Sequence, residues 1–158
     1  MTVMISLYLW SSAFGNGDMI PVQYTADGDD ISPLLEWDCS FEAESFALIC
    51  EDPDAPAGNW VHWVVYNIPG DSRALQEGVP AESELEDGTL QGENSWGNIG
   101  YGGPAPPSGK HRYFFTLYAL EGMLHLAPGA TAQELRDAIE GHTIKEAVLM
   151  GEYSRGLH

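Results

Sequence analysis

The chain has 158 residues, 44% hydrophobic and 11% aromatic, a content that excludes disorder and suits one domain spanning 1–158 with a full core. Its 24 acidic residues outnumber six Lys and Arg, so the net charge is −18, which excludes nucleic acid and anionic membrane surfaces as partners. With only two Lys, such a sequence points to halophilic adaptation, because high salt screens the self-repulsion of an acidic protein.

The first strand is expected over residues 3–10, followed by a turn at Gly15-Asn16-Gly17-Asp18. A second short strand follows over 20–25, entered through Pro21. Asp27-Gly28-Asp29-Asp30 lacks the spacing and terminal Glu of an EF-hand loop, so a solvated turn is expected rather than a Ca²⁺ site. Residues 31–37, ISPLLEW, read as a strand whose Pro33 marks an edge or bulge. The apolar run SFALICE over 45–51 is a compact strand that enters Asp52-Pro53-Asp54-Ala55-Pro56. Two prolines there force an extended loop and hold Asp52 and Asp54 rigidly at the strand's C-terminal end.

Residues 60–68, WVHWVVYNI, read as a central strand. Simple alternation places Trp60, His62, Val64, Tyr66 and Ile68 on one face and Val61, Trp63 and Val65 on the other. Residues 70–92 are polar, acidic and turn-rich, a surface excursion with at most one helical turn. Asn94-Ser95-Trp96-Gly97 leads into GYGGPAPPSGKHRYFFTLYAL, residues 100–120, a Gly/Pro loop that becomes a buried strand. On that strand His111 and Tyr113 share a face. Arg112 points the other way, where pairing with an acid is expected, and Lys110 is expected in solvent. After a hairpin-like segment around Gly122, Thr131 and Glu134 form a capping box for a helix that ends at Gly141. A second Thr-x-x-Glu box, Thr143 and Glu146, predicts a second helix over 143–150. Gly151 would stop it and leave 152–155 as a tail.

Three segments place polar residues in apolar surroundings: Asp52 with Asp54, His62, and His111 with Tyr113. A lone His on an apolar strand is more often a core residue than a ligand; two beside Pro-stiffened loops suggest a site. No acid lies between Asn94 and Leu120, and two of the six cations fall there, which suggests a cationic island and an anion site. Asp orients imidazole and favours its cation. Such cations, the Tyr113 hydroxyl and the amides of Gly102-Gly103 would suit a phosphate. Ser108 lacks a nucleophile elbow and is expected in solvent. His62, His111, Asp52 and Asp54 are acceptable metal-ligand types, but without H-x-H or H-E-x-x-H spacing no metal or cofactor is expected. Trp37 and Trp96 are expected in the core or a pocket wall. Cys39 and Cys50 lack zinc spacing and are expected as buried free thiols. The apolar start is short and lacks a basic region, so a cytoplasmic location is expected.

At DPDAP, WVHWVVYNIP and GYGGPAPPSGKHRY the chain resembles the phosphatidylethanolamine-binding protein family, in its prokaryotic Raf-kinase-inhibitor-like branch. The resemblance covers nearly the whole chain, from SSAF to GEYSR. It implies a mainly β fold, an antiparallel Greek-key-like β-sandwich, here with two short C-terminal helices. It also implies a small anion pocket at one end. By motif position the ligand-binding residues would be Asp52, Asp54, Trp60, His62, Gly103, Pro106, Pro107, His111 and Tyr113. Leu34 stands where ISPPLEW would have a second Pro, and Ala105 where GPCPP would have Cys; neither removes a ligand group. The expected role is a non-enzymatic binding module for a small phosphate-type anion. The alternatives are a metal-assisted hydrolase using the same His/Asp cluster and a protein inhibitor of an enzyme or kinase. Expected partners are a small phosphorylated or anionic ligand, with room for a protein partner or a homodimer, and no stable membrane insertion.

Overall fold

Alternating and doubly apolar segments resolve into two antiparallel sheets in the computed structural model, which describes residues 4–155. The smaller sheet is β1 (Leu7–Trp10), β2 (Leu35–Cys39) and β5 (Ala74–Leu75), in that order. The larger contains β3 (Ser45–Asp52), β4 (Trp60–Pro69), β6 (Leu90–Gln91), β7 (Lys110–Leu120) and β8 (Thr143–Ser154), ordered β6-β4-β3-β7-β8. The antiparallel β-sandwich is therefore as the sequence indicates.

Between the sheets lies the main core, where Leu9 and Trp37 meet Leu48, Trp63, Phe115 and Leu149. Fully burying such side chains stabilises the fold by about 1.5–3 kcal/mol each. The outer face of the larger sheet carries a second cluster, with Ile49, Val64 and Tyr66 under Leu135 and Ile139 of α1 (Ala132–Ile139). Both faces of β3 and β4 are thus covered, which explains their continuous apolar runs. The capping box of α1 forms as expected: Glu134 N donates to Thr131 Oγ1, and Thr131 N donates to Glu134 Oε1.

The second helix does not form. Residues 143–150 belong to β8, which runs antiparallel to β7 from Lys110 opposite Ser154 to Leu120 opposite Thr143. Ala147, Leu149, Gly151 and Tyr153 alternate inward, so the two-residue period outweighs the capping signal. Gly151 is not a helix stop either. A Cβ there would lie 2.5 Å from Ile20 and 2.8 Å from Phe14, so the position requires close packing.

The strand expected over 20–25 is a 3₁₀ turn, Val22–Tyr24, because Pro21 supplies no amide for a ladder. The residues before it cover the edge of β8, with Ile20 N donating to Glu152 O and Glu152 N to Asp18 O. β1 and β2 both start later than expected, and residue 3 of the expected first strand lies outside the described residues. The 70–92 excursion is irregular apart from β5 and β6. Its end is pinned inside, where Trp63 Nε1 donates to Gln91 Oε1 at 2.7 Å. Cys50 is buried and Cys39 half-buried; both are free thiols. Among the described residues no helix is long and apolar enough to cross a membrane.

Two register shifts between β3 and β4 decide which side chains reach the site. Cys50 lies opposite Trp63 while its neighbour Glu51 lies opposite Val61, so His62 is an extra residue on β4. This bulge leaves Trp63 and His62 on the same side of the sheet, against strict alternation. A second shift, beside Asn67 at φ +51°, returns Ile68 to the main-core side. The face assignment from simple alternation is therefore corrected: Trp60, His62, Trp63, Val65 and Ile68 share one side, and Val61, Val64 and Tyr66 the other.

Candidate functional site

The site lies where β3, β4 and β7 present polar ends to the loops following β3 and preceding β7. At the end of β3, Asp52 is 3% exposed, and both of its oxygens are occupied. Oδ2 accepts from His111 Nδ1 at 2.6 Å, and Oδ1 accepts from Asp54 N at 2.7 Å. The carboxylate thus orients the imidazole, as the sequence suggests. Asp54, one peptide beyond Pro53, turns away. Its two oxygens accept from Arg112 Nε at 2.9 Å and Nη2 at 2.8 Å, and this ion pair holds its carboxyl at about 2. Asp54 is not among the residues that line the cavity; it anchors Arg112 instead.

On β4, the bulge delivers His62 to the same cavity, 2% exposed. Its Nδ1 lies 2.6 Å from Gly102 O. A carbonyl only accepts, so Nδ1 carries the hydrogen and Nε2 keeps its lone pair. Desolvation is the largest influence on this ring and lowers its pKa from the usual value, which favours a neutral imidazole. Burial therefore works against the cation expected at His62.

On β7, Tyr113 is 1% exposed, and its ring meets the His62 ring edge-on at 5.1 Å. Its hydroxyl is buried without a hydrogen-bond partner, and desolvation followed by the Asp52 charge raises its pKa, so it is a neutral donor. Trp60 Nε1 is likewise buried without a partner. Both residues belong to the lining of a cavity of about 350 Å³ that also contains Asp52, His62, His111, Pro106 and Pro107. The sequence reading had all of these.

Other expectations fail on local geometry. Gly103 lies outside that lining. Its amide donates to Asp30 Oδ1 at 2.7 Å, and a Cβ there would lie 2.5 Å from Tyr24 O. The Gly102 amide donates to His62 O at 2.9 Å. Neither amide is left for an anion. Asp30 is therefore more than a solvated turn, as is Asp27, which accepts from Tyr153 and Arg155. The cationic island also dissolves: Lys110 lies 3.6 Å from Glu152, and Arg112 is held by Asp54. Among the described residues no group of three or more His, Cys, Asp or Glu is arranged to hold a metal ion.

Trp37 packs on Phe46 in the main core, whereas Trp96 is a cavity wall, edge-on to Trp60 at 5.5 Å and His62 at 5.0 Å. Sequence reasoning missed what places it. Asn94 Oδ1 accepts from Trp96 N and Asn98 N, and Ser95 pins the turn to Val61, Ser95 Oγ accepting from Val61 N at 2.8 Å. The Asn-Ser pair is a turn signal, but its docking partner is 34 residues away. Ala55, Pro56 and Ala57 complete a wall that the two prolines of DPDAP foreshadow.

A family model for phosphatidylethanolamine-binding protein matches residues 10–154. A UPF0098 protein from Methanothermobacter thermautotrophicus is 54% identical, over 94% of this chain and 99% of its own. A homologue of phosphatidylethanolamine-binding protein from Chlamydia trachomatis superposes with a TM-score of 0.88 at 41% identity, covering 96% of this chain and 99% of that one. Escherichia coli YbcL, described as a member of the mammalian family, gives 0.87 at 27% identity, covering 95% and 99%. The chain therefore belongs to the phosphatidylethanolamine-binding protein family.

Proposed function

We propose that the protein is a non-enzymatic binding module for a small phosphate-type anion, held in the cavity between Asp52, His62, His111 and Tyr113. The observation that carries this reading is the pair of buried, unpartnered donors, Tyr113 O–H and Trp60 Nε1–H. An orphaned buried donor costs about 1–3 kcal/mol, so two on residues that line one small cavity support a ligand that accepts hydrogen bonds. His111 lines the same cavity, with its ring oriented by Asp52 through Nδ1. The mainly apolar lining strengthens such bonds.

A binding role is supported over hydrolysis because Asp54 is committed to Arg112 and the candidate ligands do not converge as a metal set. Near-equimolar zinc, lost together with an activity on chelation, would favour the hydrolase instead. The direct test is calorimetric titration with inorganic phosphate and phosphoethanolamine, which share the phosphate chemistry. Tyr113→Phe and His111→Ala should each weaken binding by about 1.5–3 kcal/mol, the worth of a hydrogen bond to a charged group. Affinity unchanged in both variants would remove this reading.

A further inference from the structure

We propose that the chain has a second binding site, separate from the phosphate cavity, which takes a linear aliphatic polyamine between β5, β6 and the segment that joins them.

β5 and β6 are the end strands of the smaller and the larger sheet. A cavity of about 400 Å³ is lined by Leu75 of β5, by Thr89 at the entry to β6 and by residues of the connecting segment. That volume falls within the range of small-molecule sites, about 300–1,000 Å³. It shares no lining residue with the cavity that contains Asp52 and Tyr113.

Thr89 is 0% exposed, and its hydroxyl has no hydrogen-bond partner. Its direction follows from β6. Leu90 packs in the outer cluster, whereas Gln91 Oε1 accepts from Trp63 in the main core. Alternation therefore turns Thr89 to the Gln91 side, where Leu75 also lies. A buried hydroxyl left unpaired is costly, so a polar ligand group beside it is favoured.

Four carboxylates border the same cavity: Glu77, Glu82, Glu86 and Asp87. No Lys or Arg occurs between Arg73 and Lys110. Among the described residues no ion pair includes any of the four, whereas Asp27, Glu51 and Asp54 are each paired with an Arg. Glu77 Oε1 accepts from the Tyr24 hydroxyl at 2.5 Å, and Asp87 Oδ1 accepts from Thr89 N at 2.9 Å; both donors are neutral. A cleft lined by one sign of charge concentrates ligands of the opposite sign.

The arrangement also selects the kind of cation. Ca²⁺ and Mg²⁺ need oxygens converging on one point, and among the described residues no group of three or more acids is arranged to hold a metal ion. Leu75, Val79 and Leu85 give the lining apolar surface as well. Carboxylates that do not converge, together with aliphatic side chains, match ammonium groups spaced along a hydrocarbon chain. Each ammonium donates to carboxylates, and one donates to Thr89 Oγ1.

The test is calorimetric titration of the full chain, at low and equal ionic strength, with spermidine, 1,4-diaminobutane, ammonium chloride and magnesium chloride. Spermidine should bind one-to-one and about tenfold or more tightly than Mg²⁺, with the diamine between spermidine and ammonium. Thr89→Val keeps the side-chain shape, removes the hydroxyl and should weaken spermidine about tenfold, as loss of a hydrogen bond to a charged group does. Glu82→Gln with Glu86→Gln should weaken it about tenfold or more. Asp18→Asn with Glu146→Gln makes the same charge change on and beside β8, at the opposite end of the larger sheet, and should leave affinity within about twofold. Equal losses in the two double variants, or Mg²⁺ as tight as spermidine, would reduce the effect to general charge and overturn the site. Full affinity in a folded Thr89→Val overturns it too; if that variant does not fold, the two double variants decide. Absence of saturable spermidine binding overturns the site outright.

Discussion

His62 and Gly102 exchange two hydrogen bonds: Nδ1–H of His62 to the Gly102 carbonyl at 2.6 Å, and the Gly102 amide to the His62 carbonyl at 2.9 Å. One glycine thereby fixes both the tautomer and the position of the ring. The bulge at His62 turns the ring to the cavity, and Gly102 keeps it there.

The first prediction follows from that burial. Burial holds the pKa of His62 in the fold below the usual histidine value of about 6.5. The unfolded chain then binds more protons between the two values, so stability rises with pH through that window and falls as pH drops below about 6.5. Thermal midpoints of wild type and His62→Gln should be furthest apart near neutrality and approach each other in mild acid. A gap that widens on acidification would mean that His62 is charged in the fold.

Asp52 and His111 should behave as one unit. Removing Asp52 strands the His111 Nδ1–H and the Asp54 amide, each at about 1–3 kcal/mol. A double-mutant cycle on Asp52→Ala and His111→Ala, read by denaturant unfolding, should give a coupling of about 1–3 kcal/mol. Additive losses would show the 2.6 Å contact to be energetically idle.

Asp54 tests the correction to the site. Its carboxyl is held at about 2 by Arg112, so its contribution to stability is present above 3.8 and is lost as pH falls towards 2. The pair is partly exposed, and the contribution is about 0–1 kcal/mol. Asp54→Asn should therefore lower acid resistance slightly and leave phosphate affinity within about twofold, since the lost charge is screened and outside the cavity. A larger loss of affinity would return Asp54 to the ligand set.

Gly102 tests the packing of the wall. A Cβ at this position would lie 2.4 Å from the Trp96 ring. Gly102→Ala should displace Trp96 from Trp60 and His62, alter the tryptophan fluorescence and cost about 1–3 kcal/mol. Wild-type fluorescence and stability in that variant would contradict the contact.

Salt dependence tests the surface. At a net charge of −18, screening should relieve self-repulsion, and the thermal midpoint should rise between low and molar KCl. A flat or falling midpoint would set the halophilic reading aside.

The sequence by itself determined the strands whose burial pattern is local. SFALICED, WVHWVVYNIP and KHRYFFTLYAL form β3, β4 and β7, and the Thr131–Glu134 box caps α1, because side-chain period and capping are properties of consecutive residues. The same motifs supplied the residues that line the cavity, from Asp52 through Tyr113. Tertiary structure decided what depends on partners distant in the chain. The edge of β7 recruits residues 143–154 as a strand although they begin with a helix-capping pattern. Register against β3 creates the bulge that turns His62 to the cavity. Asp54 and the Gly102 and Gly103 amides looked like ligand groups, but Arg112, His62 and Asp30 satisfy them. Buried polar groups take the partners that folding places beside them, and residues 58 or 73 positions apart become such neighbours only when the sheets and loops pack.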